Sequence, residues 1–152
     1  MGTQQILLIV LSVIIVGAAI AVGIQMFNNQ AYSANKSAIA AEAQTYATQV
    51  VQFYKTPKSQ GGLGGDLGTG GETVVKSIHD YLGWETEADA PGATSESGAF
   101  TVTSASATAV IITGKGNAVR NGKNPQVVTT VTFPAGTITA VLSDVGDEED
   151  DG

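Results

Sequence analysis

The hydrophobic pattern of this chain is set by one stretch, Ile6–Ile24, ILLIVLSVIIVGAAIAVGI, which holds no charged residue. The first Lys, Arg, Asp or Glu anywhere in the chain is Lys36. Coiled as an α-helix, the stretch is about 28 Å long, close to the hydrocarbon thickness of a bilayer. It is apolar on every face, so it must be covered on all sides by lipid or by protein. Past Ile24 the pattern turns amphipathic. Ile39, Ala43, Tyr46, Val50 and Phe53 recur at steps of four, three, four and three, and Tyr32 extends the stripe one heptad back. Asn28, Asn35, Lys36, Glu42, Gln44, Gln49 and Gln52 occupy the other faces. No Pro occurs before Pro57, which lacks an N–H and disfavours the helical state of Thr56. The pattern predicts one helix of about fifty residues, roughly 80 Å long.

Ser59–Gly71, SQGGLGGDLGTGG, reads as a connecting loop that uses glycine for positive φ. It lacks the Lys-Ser/Thr ending of a phosphate-binding loop, and no strand precedes it. Glu72–Leu82 predicts a short helix with Val74, Val75, Ile78, Tyr81 and Leu82 on one face and Gly83 as its stop. Trp84–Gly98 is an acidic, small-residue loop. Four strands are expected at Ala99–Ser104, Thr108–Thr113, Gln126–Phe133 and Thr137–Ser143. Phe100/Val102 and Ile138/Ala140/Leu142 alternate with polar neighbours, as in a sheet with one buried face. Pro134-Ala135-Gly136 suits a three-residue hairpin turn, and Gly114–Pro125 a longer loop carrying three of the seven basic residues. The fold class is therefore α+β: a long N-terminal helix, half greasy and half amphipathic, on a small antiparallel sheet of about four strands. The organisation is a hydrophobic helix at 1–24 and a head at 25–152. The head comprises an amphipathic helix 25–55, a loop region 56–98, a sheet 99–143 and an acidic tail 144–152.

Composition narrows the chemistry. A net charge of −7 argues against nucleic acid as a partner. There is no Cys, hence no disulfide framework and no thiolate metal site. His79 is the single histidine and has no second histidine with which to build a metal site or a triad. Nothing in the sequence assembles a catalytic constellation, and neither enzymatic activity nor a cofactor is expected. The tail carboxylates read as a solvated charge run, with Asp144, Asp147 and Glu148 the sharper candidates for calcium. The start, Met-Gly-Thr-Gln-Gln, has none of the basic residues of a secretory signal and offers no charge to orient the helix. Orienting charges on a removed leader, or insertion by another route, would account for this.

An uncharged greasy helix running into an amphipathic one, then a Gly-rich loop and an antiparallel sheet, resembles a type IV pilin, in the broad sense that includes secretion-system pseudopilins. The likeness is carried by the helix, and by architecture alone in the rest. It implies a clipped leader, with Met1 as the processed and N-methylated first residue. It also implies an αβ-loop at 56–98. Three positions depart from the pattern: Gln5 replaces the usual Glu, Val22 the Pro that often bends the helix, and the stapling Cys pair is missing.

The resemblance implies a structural subunit of an extracellular pilus-like filament that polymerises through its apolar helix. The residues concerned are Gln4, Gln5, Ile6, Leu7, Leu8, Val10, Leu11, Ile14, Ile15, Gly17, Ala18 and Ala21. Small residues among them permit close helix approach. The implied partners are copies of itself in a helical homo-oligomer, the inner membrane before assembly, a prepilin peptidase and the pilus assembly machinery. The amide oxygens of Gln4 and Gln5 would cap the Met1 amine of a neighbour in place of the family's carboxylate, or that amine is left neutral; the other reading leaves both glutamines at the membrane edge. The alternative is a membrane-anchored surface or periplasmic domain that never polymerises.

Overall fold

The computed structural model describes residues 2–85 and 92–146. Helix α1, Thr3–Lys55, runs unbroken through Gly17 and Gly23 and is about 80 Å long. It ends where Thr56, ahead of Pro57, turns extended, and Thr56 still sends its N–H to Gln52 O at 2.9 Å. The expected stripe is the buried one: Tyr32, Ile39, Ala43, Val50 and Phe53, with Ala47 beside them and Tyr46 half-buried. A 3₁₀ turn, Lys58–Gln60, opens the Gly-rich connection to α2, Glu72–Leu82. Helix α2 buries Val74 and Ile78, and Gly83 closes it in the left-handed conformation.

Five strands follow: β1 Ala93–Thr94, β2 Gly98–Ala105, β3 Ala109–Gly116, β4 Lys123–Thr132 and β5 Thr137–Gly146. They form an antiparallel meander in chain order. The architecture is α+β, as expected, but with five strands rather than four. The addition is the two-residue β1, inside the region read as acidic loop. The sheet thus spans 93–146 instead of 99–143. The basic loop shrinks to residues 117–122, because β3 runs on to Gly116 and β4 begins at Lys123. Asn121 and Gly122 both take positive φ, 54° and 70°, in a tight turn closed by Arg120 and Lys123. Pro125 sits in β4 where pairing with β3 has stopped at Gln126, so its missing N–H breaks no ladder bond on that side. The β4–β5 hairpin has four loop residues, 133–136, with Gly136 at φ 73° donating its N–H to Thr132 O.

One core joins the layers. The second half of α1 lies over β3 and β4, and α2 lies against β2. Ile39, Val50, Ile78, Phe100, Val110, Ile112, Val127 and Val131 are fully enclosed. Tyr46 bridges α1 to the rest edge-on, 4.9 Å from Trp84 and 5.2 Å from Phe100 between ring centroids. The Phe100 ring lies across Gly114 on the neighbouring strand, where a Cβ would come within 2.5 Å of it. The opposite face of the sheet presents Thr101, Thr103, Thr113, Thr130, Thr132 and Thr139 outward. In β5 the expected buried face is only begun. Ile138 is half-buried, while Ala140 and Leu142, on the same side, are exposed. Their pairing with Thr129 and Val127 puts them on the core face, but β5 is the outermost strand and lies beyond most of the helix.

Candidate functional site

The polymerisation residues expected from the sequence all lie on the half of α1 that projects from the head. Gln4, Gln5, Ile6, Leu7, Leu8, Val10, Leu11, Ile14, Ile15, Gly17, Ala18 and Ala21 are every one exposed. The helix has mean hydropathy 3.0 in its most apolar eighteen-residue window, none of which is buried. By length and composition this helix can cross a membrane. An added Cβ at Gly17 or Gly23 would meet nothing within 4 Å, so both glycines leave the surface open for close approach. Leu7, Leu11, Ile14, Ala18 and Ala21 fall at steps of four and three, and so share one side. Met1, Asp147 and Glu148 lie outside the described residues.

The junction between projecting helix and head is fastened by polar groups. Asp144, near the end of β5, receives hydrogen bonds from Tyr32 Oη and Lys36 Nζ on Oδ1, both at 2.8 Å. Its Oδ2 lies 3.8 Å from Arg120 Nη2, and the Arg120 guanidinium stands over the Tyr32 ring at 4.4 Å. The Lys36 and Tyr32 bonds hold the Asp144 carboxyl below the usual carboxylate range. Burial, then the bond to Asp144, pushes the Tyr32 hydroxyl up. A carboxylate lowered in the folded state stabilises above its unfolded pKa near 4, and this contribution fades as pH falls through the folded value. Asp144 was singled out from the sequence for calcium; its oxygens are engaged by these three side chains.

A second fastening lies about one to three turns up the helix from Tyr32. Asn35 Nδ2 donates to Ser97 O at 2.7 Å, and its Oδ1 accepts the Ala118 N–H at 3.2 Å. Glu42 accepts from Ser95 Oγ at 2.7 Å and Ser97 Oγ at 2.6 Å. These contacts tie the β1–β2 turn and the β3–β4 loop to the helix, so the apolar half leaves the head at a fixed place. Sequence reading missed both fastenings, because Tyr32 and Asp144 stand 112 residues apart and nothing local links them.

His79 is a packed histidine. Its Nε2 accepts the Val102 N–H at 3.3 Å, and its ring lies 5.5 Å from that of Trp84. Burial lowers its pKa below the ordinary value of 6.5. A histidine held neutral in the folded state binds its proton more readily when unfolded. Stability should therefore be full above pH 6.5 and fall as pH drops below it. We expect the urea midpoint of the head to rise between pH 5 and pH 7, and the slope to flatten in His79→Gln. An equal slope in the variant would remove His79 as its source.

No known protein family, curated protein or solved structure matches the chain.

Proposed function

We propose that the chain is the structural subunit of a type IV pilus-like filament, held in a membrane through its N-terminal helix and then polymerised through the same helix. The observation that carries this reading is the contrast between the two halves of α1. The second half closes a complete core with α2 and the sheet. The first half leaves fifteen large apolar side chains exposed, from Ile6 to Phe27. Covering them is worth on the order of 20 kcal/mol, so this half does not stay in water. A bilayer and a bundle of identical helices are equally apolar coverings, and passing from one to the other costs little. Heads with Thr-lined sheets would face solvent. Contacts of one subunit on different patches of the next do not close, and they build a helix of copies. A prepilin peptidase and an assembly machinery are the partners this reading requires, and the cell surface is its destination.

Removal of detergent from the purified chain tests the proposal. Sedimenting filaments are expected. A detergent-soluble monomer with no assembly at any concentration would overturn it and favour the non-polymerising membrane-anchored domain.

Gln4 and Gln5 give a finer test. They stand at the entrance to the apolar half, and inside an apolar bundle their amides need partners on neighbouring copies. Replacing both by Leu should abolish or much weaken filaments while membrane insertion, assayed by flotation with vesicles, survives. Normal assembly of the double-Leu variant would refute the role.

A further inference from the structure

The rim of the head where α1 leaves it is built by the β3–β4 loop, residues 117–122. The Ala118 N–H on Asn35 and the Arg120 guanidinium over Tyr32 fix its level along the helix. Below Tyr32 every described helix residue is exposed, so no described part of the head packs on the helix there. Apolar exposure continues past Ile24 to Phe27, whose side chain is 70% exposed. Ile6–Phe27 spans about 33 Å, or about 31 Å at an ordinary tilt of about 20°, one hydrocarbon thickness. Tyr32 stands about 7 Å further along the axis. The headgroup layer on each side of a bilayer is about 5–8 Å deep. The loop is therefore at headgroup depth whenever the apolar half spans a membrane.

Its chemistry fits that position. Val119 is 58% exposed, although it lies in a polar loop. Arg120 follows it, with its side chain 40% exposed, and Lys123 is exposed beside the turn. Among the described residues, Lys36, Arg120 and Lys123 stand in or beside this loop, with the carboxylates of Asp144, which engages Lys36 and Arg120, and of Glu96. An apolar tip flanked by cations is how interfacial segments meet acyl boundary and phosphate together. We propose that loop 117–122 docks on the phospholipid surface in the membrane-anchored state. Val119 lies among the headgroups, while Arg120 and Lys123 meet lipid phosphates. The proposal rests on the membrane-anchored part of the functional reading and not on polymerisation.

The chain has no Cys, so Val119→Cys and Ser59→Cys each label one site, the latter near the far end of α1. The full chain, carrying an environment-sensitive fluorophore at either site, is reconstituted in mixed phosphatidylcholine–phosphatidylglycerol vesicles and floated. The label at 119 is expected to be severalfold less accessible to aqueous iodide than that at 59, and to be quenched by lipids spin-labelled at the headgroup. The same shielding is expected of the chain ending at Gly146, because the contact belongs to the loop. Equal iodide access at 119 and 59 in chain that floats would overturn the docking alone, as would loss of shielding on truncation. Failure to float with the vesicles would overturn membrane anchoring, and the docking with it.

Discussion

Ile14→Asp should abolish assembly and weaken anchoring while leaving the head folded. Ile14 lies near the middle of Ile6–Ile24 and is 62% exposed, with nothing of its own chain against it. In a membrane, a carboxylate at mid-depth costs about 3 kcal/mol on insertion scales, on the order of a hundredfold in partition. In a bundle of copies the charge is worse placed, because every subunit brings one and none brings a cationic side chain before Lys36. Flotation measures anchoring, which should weaken by up to that hundredfold, and sedimentation measures polymer, which should fall to background. The thermal transition of the head should not move, since the nearest core residue, Tyr32, is five turns away. Wild-type amounts of polymer from Ile14→Asp would mean that assembly runs through the heads.

Phe100→Ala should have the opposite signature. Phe100 is fully enclosed between Tyr46, Gly114 and the interior of the sheet. Truncating a buried Phe costs about 3–5 kcal/mol, more than half the stability of many small domains. For a head of this size the melting temperature should drop by roughly 15 °C or more. Membrane flotation should persist, because the apolar half of α1 does not depend on the core. Leu142→Ala is the matched control: Leu142 is half exposed on the edge strand, and its loss should shift melting by no more than a degree or two. An equal drop for both variants would contradict the packing described here.

What the sequence made legible follows from how local each signal is. The buried stripe of α1 was readable because helical period is a local property, and the tertiary contacts respected it. The four longer strands were readable for the same reason, each within a few residues of its bounds. Strand β1 has two residues, too few for any alternation to register. The turn at Asn121-Gly122 was legible in principle, as this dipeptide favours the paired positive φ of a type I′ turn. It was passed over because the surrounding Gly, Asn and Lys read as a longer loop. The half-covered state of β5 was not legible. Ile138, Ala140 and Leu142 alternate correctly, but coverage depends on how far the helix reaches across the sheet. The Tyr32–Lys36–Arg120–Asp144 fastening was invisible for a similar reason: its members come from three elements, and only topology brings them together. The projecting half of α1, by contrast, was legible in full, since a run apolar on every face announces its need for a covering wherever it is placed.

The most direct measurement is a helical reconstruction, by electron cryomicroscopy, of material sheared from the surface of cells that express the chain. The account predicts filaments whose axis is a bundle of the Ile6–Ile24 segments, with Leu7, Leu11, Ile14, Ala18 and Ala21 against neighbouring helices and the Thr-lined sheets outside. Filaments held by head contacts with those segments away from the axis, or a chain found only as membrane-embedded monomer, would contradict it.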